Sequence, residues 1–278
     1  MGAPPRTLTV DLEQHGRVAL IALNRPEARN AWNGELNRDL DTALRWAAGD
    51  DDIGAIVLTG RGRTFCAGAD LSSGGEAFRG ADERGPDDDR ESRTPTLLPW
   101  QVPKPVICAL NGHAVGVGAT YALVCDVRLM APEAKIGFVF SRRGMLSELG
   151  SHAVLPRVVG LSNAADLLLS GRAVTAAEAA AMGLVSAVVD GDDLVGEAIG
   201  RAQDMAVNGA PVSMALSKRL LWESMGVAEM ARREDPLFDW IAEQADSVEG
   251  VSSFLDKREP DWKLSVTDDF PHHLFGGT

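Results

Sequence analysis

The sequence predicts an α/β fold on three observations. Short apolar runs that read as buried strands alternate with segments of helical period. Several of those runs end at glycine, and beyond about residue 194 strand signals give way to helical ones. With 278 residues the chain can bury a full core. The expected division is a core over residues 1–195 and a helical extension over 196–278.

The elements follow in order. TLTVDLEQHGRVALIAL (7–23) alternates apolar and polar residues around Gly16, which predicts a β-hairpin. Residues 30–48 predict a helix with Leu36, Leu40, Ala43, Leu44 and Ala47 on one face. IGAIVLTG (53–60), PVICALNG (105–112) and VCDVRLMA (124–131) read as buried strands, with parallel pairing expected. Residues 72–98 are different. They hold few large apolar side chains and many charges, and predict a mobile, solvated loop. Thr175 and Glu178 form a capping box, and Gly183 stops that helix before the strand-like LVSAVV (184–189). From residue 194 on, two or three helices are expected, with Pro211 and Pro236 near helix starts.

Lys plus Arg number 27 against 40 for Asp plus Glu, a formal net charge of −13. Nucleic acid is therefore not an expected partner, since phosphate neutralisation needs clustered basic residues. Cys66, Cys108 and Cys125 lack metal-site spacing and sit in apolar runs, so they read as buried thiols. No apolar run is long enough to span a membrane, and the first residues lack a signal-peptide core. A cytoplasmic setting is expected.

Several chemistries lack a carrier. Gly116, Gly118 and Tyr121 give G-x-G-x-x-Y, without the third glycine of a dinucleotide fingerprint. Neither a phosphate-binding P-loop nor a G-x-S-x-G elbow occurs. The five histidines pair only as His272 and His273 near the C-terminus, so no metal is expected.

Two segments remain. In GRGRTFCAGADL (60–71) a strand runs into small residues, and in NGHAVGVGATYAL (111–123) a glycine-rich turn opens a helix. Small residues let backbone N–H groups approach a ligand closely, and at a helix N-terminus those groups are unpaired. Two such turns converging on one point could hold an oxyanion, at about 3–4 kcal/mol per donor.

Taken with NRPEARNAW (24–32), FCAGADL (65–71), PKPVICALNGHAVGVG (103–118), CDVRLMAPEAKIGF (125–138), LPRVVG (155–160) and TAAEAAAMGLV (175–185), these segments resemble the enoyl-CoA hydratase/isomerase (crotonase) superfamily in order and spacing. The resemblance implies a spiral of ββα units and a C-terminal helical region that trimerises, with two trimers often stacking. It also implies a CoA thioester as substrate, with no separate cofactor. By the same resemblance the oxyanion amides fall on Ala69 and Val117, where the family usually has glycine at the second position. Ala28, Arg29, Asn30, Ala67, Gly68, Asp70 and Gly116 belong to the segments expected to hold CoA, and residues 72–100 are expected to shape the acyl pocket.

The chain departs from the family's hydratases. Their two catalytic glutamates fall on Thr120 and Phe140, neither of which can activate water. Glu148 lies where some superfamily members carry a catalytic acid, among them the dienoyl-CoA isomerases with aspartate and peroxisomal enoyl-CoA isomerases with glutamate. One carboxylate suffices to move a double bond, by taking a proton α to the thioester and returning it at the γ carbon. The expectation is therefore an enoyl-CoA isomerase using Glu148. The alternatives are a hydratase or other lyase working through Glu148, and a non-catalytic acyl-CoA-binding subunit. Asp126 is expected to satisfy backbone donors rather than to react.

Overall fold

The computed structural model describes residues 3–72, 74 and 96–275, so most of the loop expected over 72–98 lies outside the described residues. The chain begins β1 (Val10–His15), β2 (Val18–Leu23), α1 (Gly34–Gly49), β3 (Ala55–Gly60) and β4 (Thr64–Cys66). It continues β5 (Val106–Leu110), β6 (His113–Val115), α2 (Val117–Leu123), β7 (Val127–Met130) and β8 (Lys135–Gly137). After α3 (Ser151–Val159) and α4 (Leu161–Ser170) come β9 (Ala173–Thr175), α5 (Ala176–Ala181) and β10 (Ala187–Val188). Helices α6 (Leu194–Asn208), α7 (Pro211–Trp222), α8 (Val227–Ala242), α9 (Ala245–Asp256) and α10 (Val266–Asp269) complete it.

Paired strands split between two sheets. β3, β5 and β7 pair in parallel in a sheet ordered β1-β2-β3-β5-β7-β10, while their followers β4, β6 and β8 pair in parallel in a second, ordered β4-β6-β8-β9. Each strand pair thus advances both sheets by one position, which is the expected spiral. The runs in β2, β3 and β5 are buried throughout, as parallel strands covered on both faces require. The β1–β2 hairpin closes at Gly16 with φ +58°.

Helix α1 buries the five residues expected of it, Leu36, Leu40, Ala43, Leu44 and Ala47. It starts later than residue 30, because the Asn33 side chain caps it by accepting from the Leu36 N–H at 2.9 Å. Its C-terminal carbonyls find a buried cation: Lys104 Nζ donates to the carbonyls of Ala47 (2.9 Å) and Asp50 (2.7 Å). Desolvation brings the Lys104 pKa down to about 8. The strand expected over 184–189 shrinks to β10, since the amides of Gly183 and Leu184 are used closing α5. The Thr175–Glu178 capping box forms as expected.

From residue 194 on, the described residues form five α-helices rather than two or three. The division expected at 195/196 falls inside α6, whose Leu194, Ala198, Ala202 and Ala206 join the core of the sheets. The separate cluster is built later, from Val212 and Leu216 of α7, Leu237 of α8 and Phe275. Pro211 opens α7 as expected, but Pro236 lies within α8. There the ring is exposed, and Leu237 beside it anchors the helix in the second cluster. Among the described residues no helix is long and apolar enough to cross a membrane.

Candidate thioester site

Close backbone packing brings the two small-residue turns together. β4 pairs with β6, so the turn after Cys66 lies beside the turn after Val115. A Cβ at Gly118 would stand 2.7 Å from both Cys66 Cβ and its carbonyl oxygen, and one at Gly112 would stand 2.1 Å from the Arg63 carbonyl oxygen. Both positions require glycine for approach alone. Gly68 (φ +100°) and Gly116 (φ +55°) bend the chain on the two sides, and a Cβ at Gly116 would reach 3.7 Å from Gly68 Cα.

The direction of each amide follows from its neighbours. Trp32 and Ala69 form an isolated parallel bridge, in which the Trp32 N–H donates to the Gly68 carbonyl (2.8 Å) and the Asp70 N–H to the Trp32 carbonyl (2.9 Å). Strand alternation then turns the N–H of Ala69 away from Trp32. Val117 is the first residue of α2, where an N–H has no partner within the helix. Among the described residues neither amide donates to an internal acceptor. Val117 has negative φ, so valine leaves the backbone donor intact.

Glu148 stands on the segment that leads into α3, a helix that packs against α2. Its carbonyl accepts from the Ser151 N–H at 3.0 Å, and the next two residues, Leu149 (φ +54°) and Gly150 (φ +72°), are left-handed. The residue is exposed overall, yet desolvation around the carboxyl pushes its pKa above the ordinary glutamate value, with no opposing contribution. Phe138, two residues before Phe140, is fully buried in the core, and Phe140 packs partly against it. Thr120 is fully buried and donates to the Val117 carbonyl at 3.2 Å. Buried among apolar atoms, the Cys66 thiol rises to about 11, which removes it as a nucleophile.

The turn at 25–32 divides its labour. Arg29 is exposed and Ala28 and Ala67 half-buried, whereas Asn30 is fully buried. The Asn30 side chain accepts from the Arg25 N–H and donates to the carbonyls of Arg61 and Thr64, so it is spent on the turn itself and not free for CoA. Asp126 is structural as expected: it accepts from the Val106 N–H, the Trp222 indole and buried Lys218. Trp100 packs near Trp222 on a cavity of about 680 Å³, together with Lys218, Arg219, Phe270 and His272. None of the amides above lines that cavity. The residue that sequence reasoning missed is Arg25, whose side chain reaches both Ala31 and Asp70. Its position in the NRP string was the available signal.

Fold, paired amides and motif order define an acyl-CoA enzyme of the crotonase superfamily. The chain belongs to the enoyl-CoA hydratase/isomerase family, whose model matches residues 13–265. It is 37% identical over 261 residues to a probable enoyl-CoA hydratase of Rhizobium meliloti, covering 92% of this chain and 98% of the relative. It is 36% identical over 252 residues to the 1,2-epoxyphenylacetyl-CoA isomerase of Escherichia coli, covering 87% and 94%. The crystal structure of a probable enoyl-CoA hydratase/isomerase from Mycobacterium abscessus superposes with a TM-score of 0.82 at 36% identity, covering 91% of this chain and 98% of that one.

Proposed function

We propose that this enzyme is an enoyl-CoA isomerase in which Glu148 carries the proton. The reading rests most on Glu148, a carboxyl with a raised pKa, and on Thr120 and Phe140 standing where the family resemblance puts the hydratase glutamates. Such a carboxylate is a stronger base than an ordinary glutamate and better matched to a carbon acid. It removes a proton from C2 of a 3-enoyl thioester. The electron pair moves onto the thioester oxygen, held by the N–H groups of Ala69 and Val117. Glu148 then returns the same proton at C4, leaving the conjugated 2-enoyl thioester. The proton balance closes, and no cofactor beyond the CoA thioester enters the cycle.

The surrounding roles belong to the same reading. We assign CoA to the segments of Ala28, Arg29, Ala67, Gly68, Asp70 and Gly116, with Asn30 holding the turn that carries the first two. Exposed Phe238 on α8 and Val248, Val251, Phe254 and Leu255 on α9 supply apolar surface for a homotrimer or a dimer of trimers. Three buried free thiols suit a cytoplasmic setting. The test is an assay of the purified protein with a panel of 3-enoyl-CoA thioesters beside crotonyl-CoA hydration. Conjugated product that vanishes in Glu148→Gln supports isomerisation. Hydration without isomerisation overturns it in favour of a lyase, and CoA-thioester binding without turnover points to a binder.

A further inference from the structure

The amide of Ala69 is aimed by the bridge to Trp32, and one side chain clamps that bridge beside its backbone hydrogen bonds. Arg25 reaches across the Trp32–Ala69 bridge. Its Nη1 donates to the Ala31 carbonyl on one chain, and its Nη2 pairs with Asp70 Oδ2 at 3.1 Å on the other. The two anchors flank the bridge: Ala31 precedes Trp32 and Asp70 follows Ala69. A single planar guanidinium therefore braces the two segments, beside the backbone hydrogen bonds of the bridge, at the point where Ala69 must turn its N–H outward.

The rest of the turn holds Arg25 in place. Its own N–H donates to the buried Asn30 side chain at 2.8 Å, and Asn30 in turn donates to Thr64, the first residue of β4. The Asn30 N–H donates to the Arg25 carbonyl at 2.8 Å, and Arg29 and Asn30 sit at φ +53° and +54°. Two adjacent non-glycine residues in the left-handed region are costly, and persist only where neighbours over-determine them. Asp70 is fixed independently by the Ser72 N–H on its other oxygen, at 3.1 Å.

We propose that Arg25, acting through Asp70 and the Ala31 carbonyl, is a positioning residue for the oxyanion hole. This rests on the reading of Ala69 and Val117 as the thioester-binding amides. Arg25 does not touch the reacting atoms. It keeps the Ala69 donor in register with Val117, where a misplacement of about 1 Å costs on the order of 10²-fold in rate. A partly exposed ion pair contributes little to folding by itself, so the effect on turnover should exceed the effect on stability.

The experiment compares wild type, Arg25→Gln, Arg25→Lys and Asp70→Asn by kcat, KM and thermal midpoint. Each substitution is also placed in a Glu148→Gln background, where the infrared carbonyl band of bound crotonyl-CoA is recorded. A thioester held by two amides absorbs at lower frequency than the same thioester free in solution. Arg25→Gln is expected to lower kcat roughly 10- to 100-fold with KM changed less than about threefold, and to reverse part of the band shift. Arg25→Lys, which keeps the charge but cannot fork to both acceptors, should fall between. Should Arg25→Gln fail to fold, Asp70→Asn, which preserves shape, carries the same test. A band shift present with Glu148→Gln alone and undiminished when Arg25→Gln is added overturns the positioning role. No shift with Glu148→Gln alone overturns instead the assignment of the amides.

Discussion

Around Ala69 and Val117 the backbone is engaged on every side. Gly68, Asp70 and Trp32 exchange hydrogen bonds, Gly116 donates to Gly137, and Gly118 leaves no room beside Cys66. Around Glu148 the arrangement is reversed. Residues 141–146 are exposed, Leu149 and Gly150 are both left-handed, and among the described residues the Glu148 carboxyl has no hydrogen-bond or ion-pair partner. One half of the proposed site is built into two sheets and a helix, the other into a connecting segment. The difference suits a superfamily of many reactions. The oxyanion frame serves every thioester enolate, while the proton carrier can change with a loop and leave the fold undisturbed.

Removing the carrier should give the largest effect. Glu148→Gln is expected to lower isomerase kcat by about 10²–10⁴-fold with CoA-thioester affinity retained, measured by steady-state kinetics beside calorimetric binding. Turnover that survives would move the proton to another group and dissolve the contrast. Damage to the frame comes next. Gly118→Ala forces α2 away from β4 and should cost roughly 10²–10³-fold in kcat, the loss of one oxyanion donor. Unlike Glu148→Gln, it should also lower the thermal midpoint.

The pH dependence sharpens the assignment further. Because desolvation raises the Glu148 pKa, the group ionises later than an ordinary glutamate, and kcat/KM should rise with pH along an acid limb displaced upward. The stability sign is opposite. A carboxyl raised in the folded state favours folding below its unfolded pKa, and that contribution is lost as pH rises through the folded value. Glu148→Gln should therefore leave the thermal midpoint at pH 8 equal to or above wild type, and a marked fall would expose a structural role. The smallest effect is expected at Val117→Gly. The amide is already free, so kcat should change by only about two- to fivefold, within roughly 1 kcal/mol, with tolerance of bulkier acyl groups increasing.

Much of this was legible from residue pattern. The five apolar positions of α1, the hairpin at Gly16, the capping box at Thr175 and the buried runs of β3 and β5 are local signals, set by period and turn chemistry. The meeting of the two small-residue turns was also within reach, since glycine and alanine mark places where backbone comes close, whereas Ala69 and Val117 themselves came from the family resemblance. Element ends were less legible. Whether the chain at Gly183 continues a strand or closes a helix depends on which carbonyl its N–H reaches. The exposed Pro236 could sit inside α8 because Leu237 anchors the helix.

By itself, then, the sequence determined which segments are buried, which turns demand glycine, and that Thr120, Phe140 and Glu148 are the side chains on which the functional reading turns. Only the tertiary structure decided how those parts act together. It joined Arg25 to Asp70 across 45 residues, spent the Asn30 side chain on the turn, and desolvated the Glu148 carboxyl enough to raise its pKa. Burial pattern and turn chemistry are local in the chain. Hydrogen-bond partners and desolvation are properties of neighbours in space, and residues far apart in sequence become neighbours only when the sheets assemble.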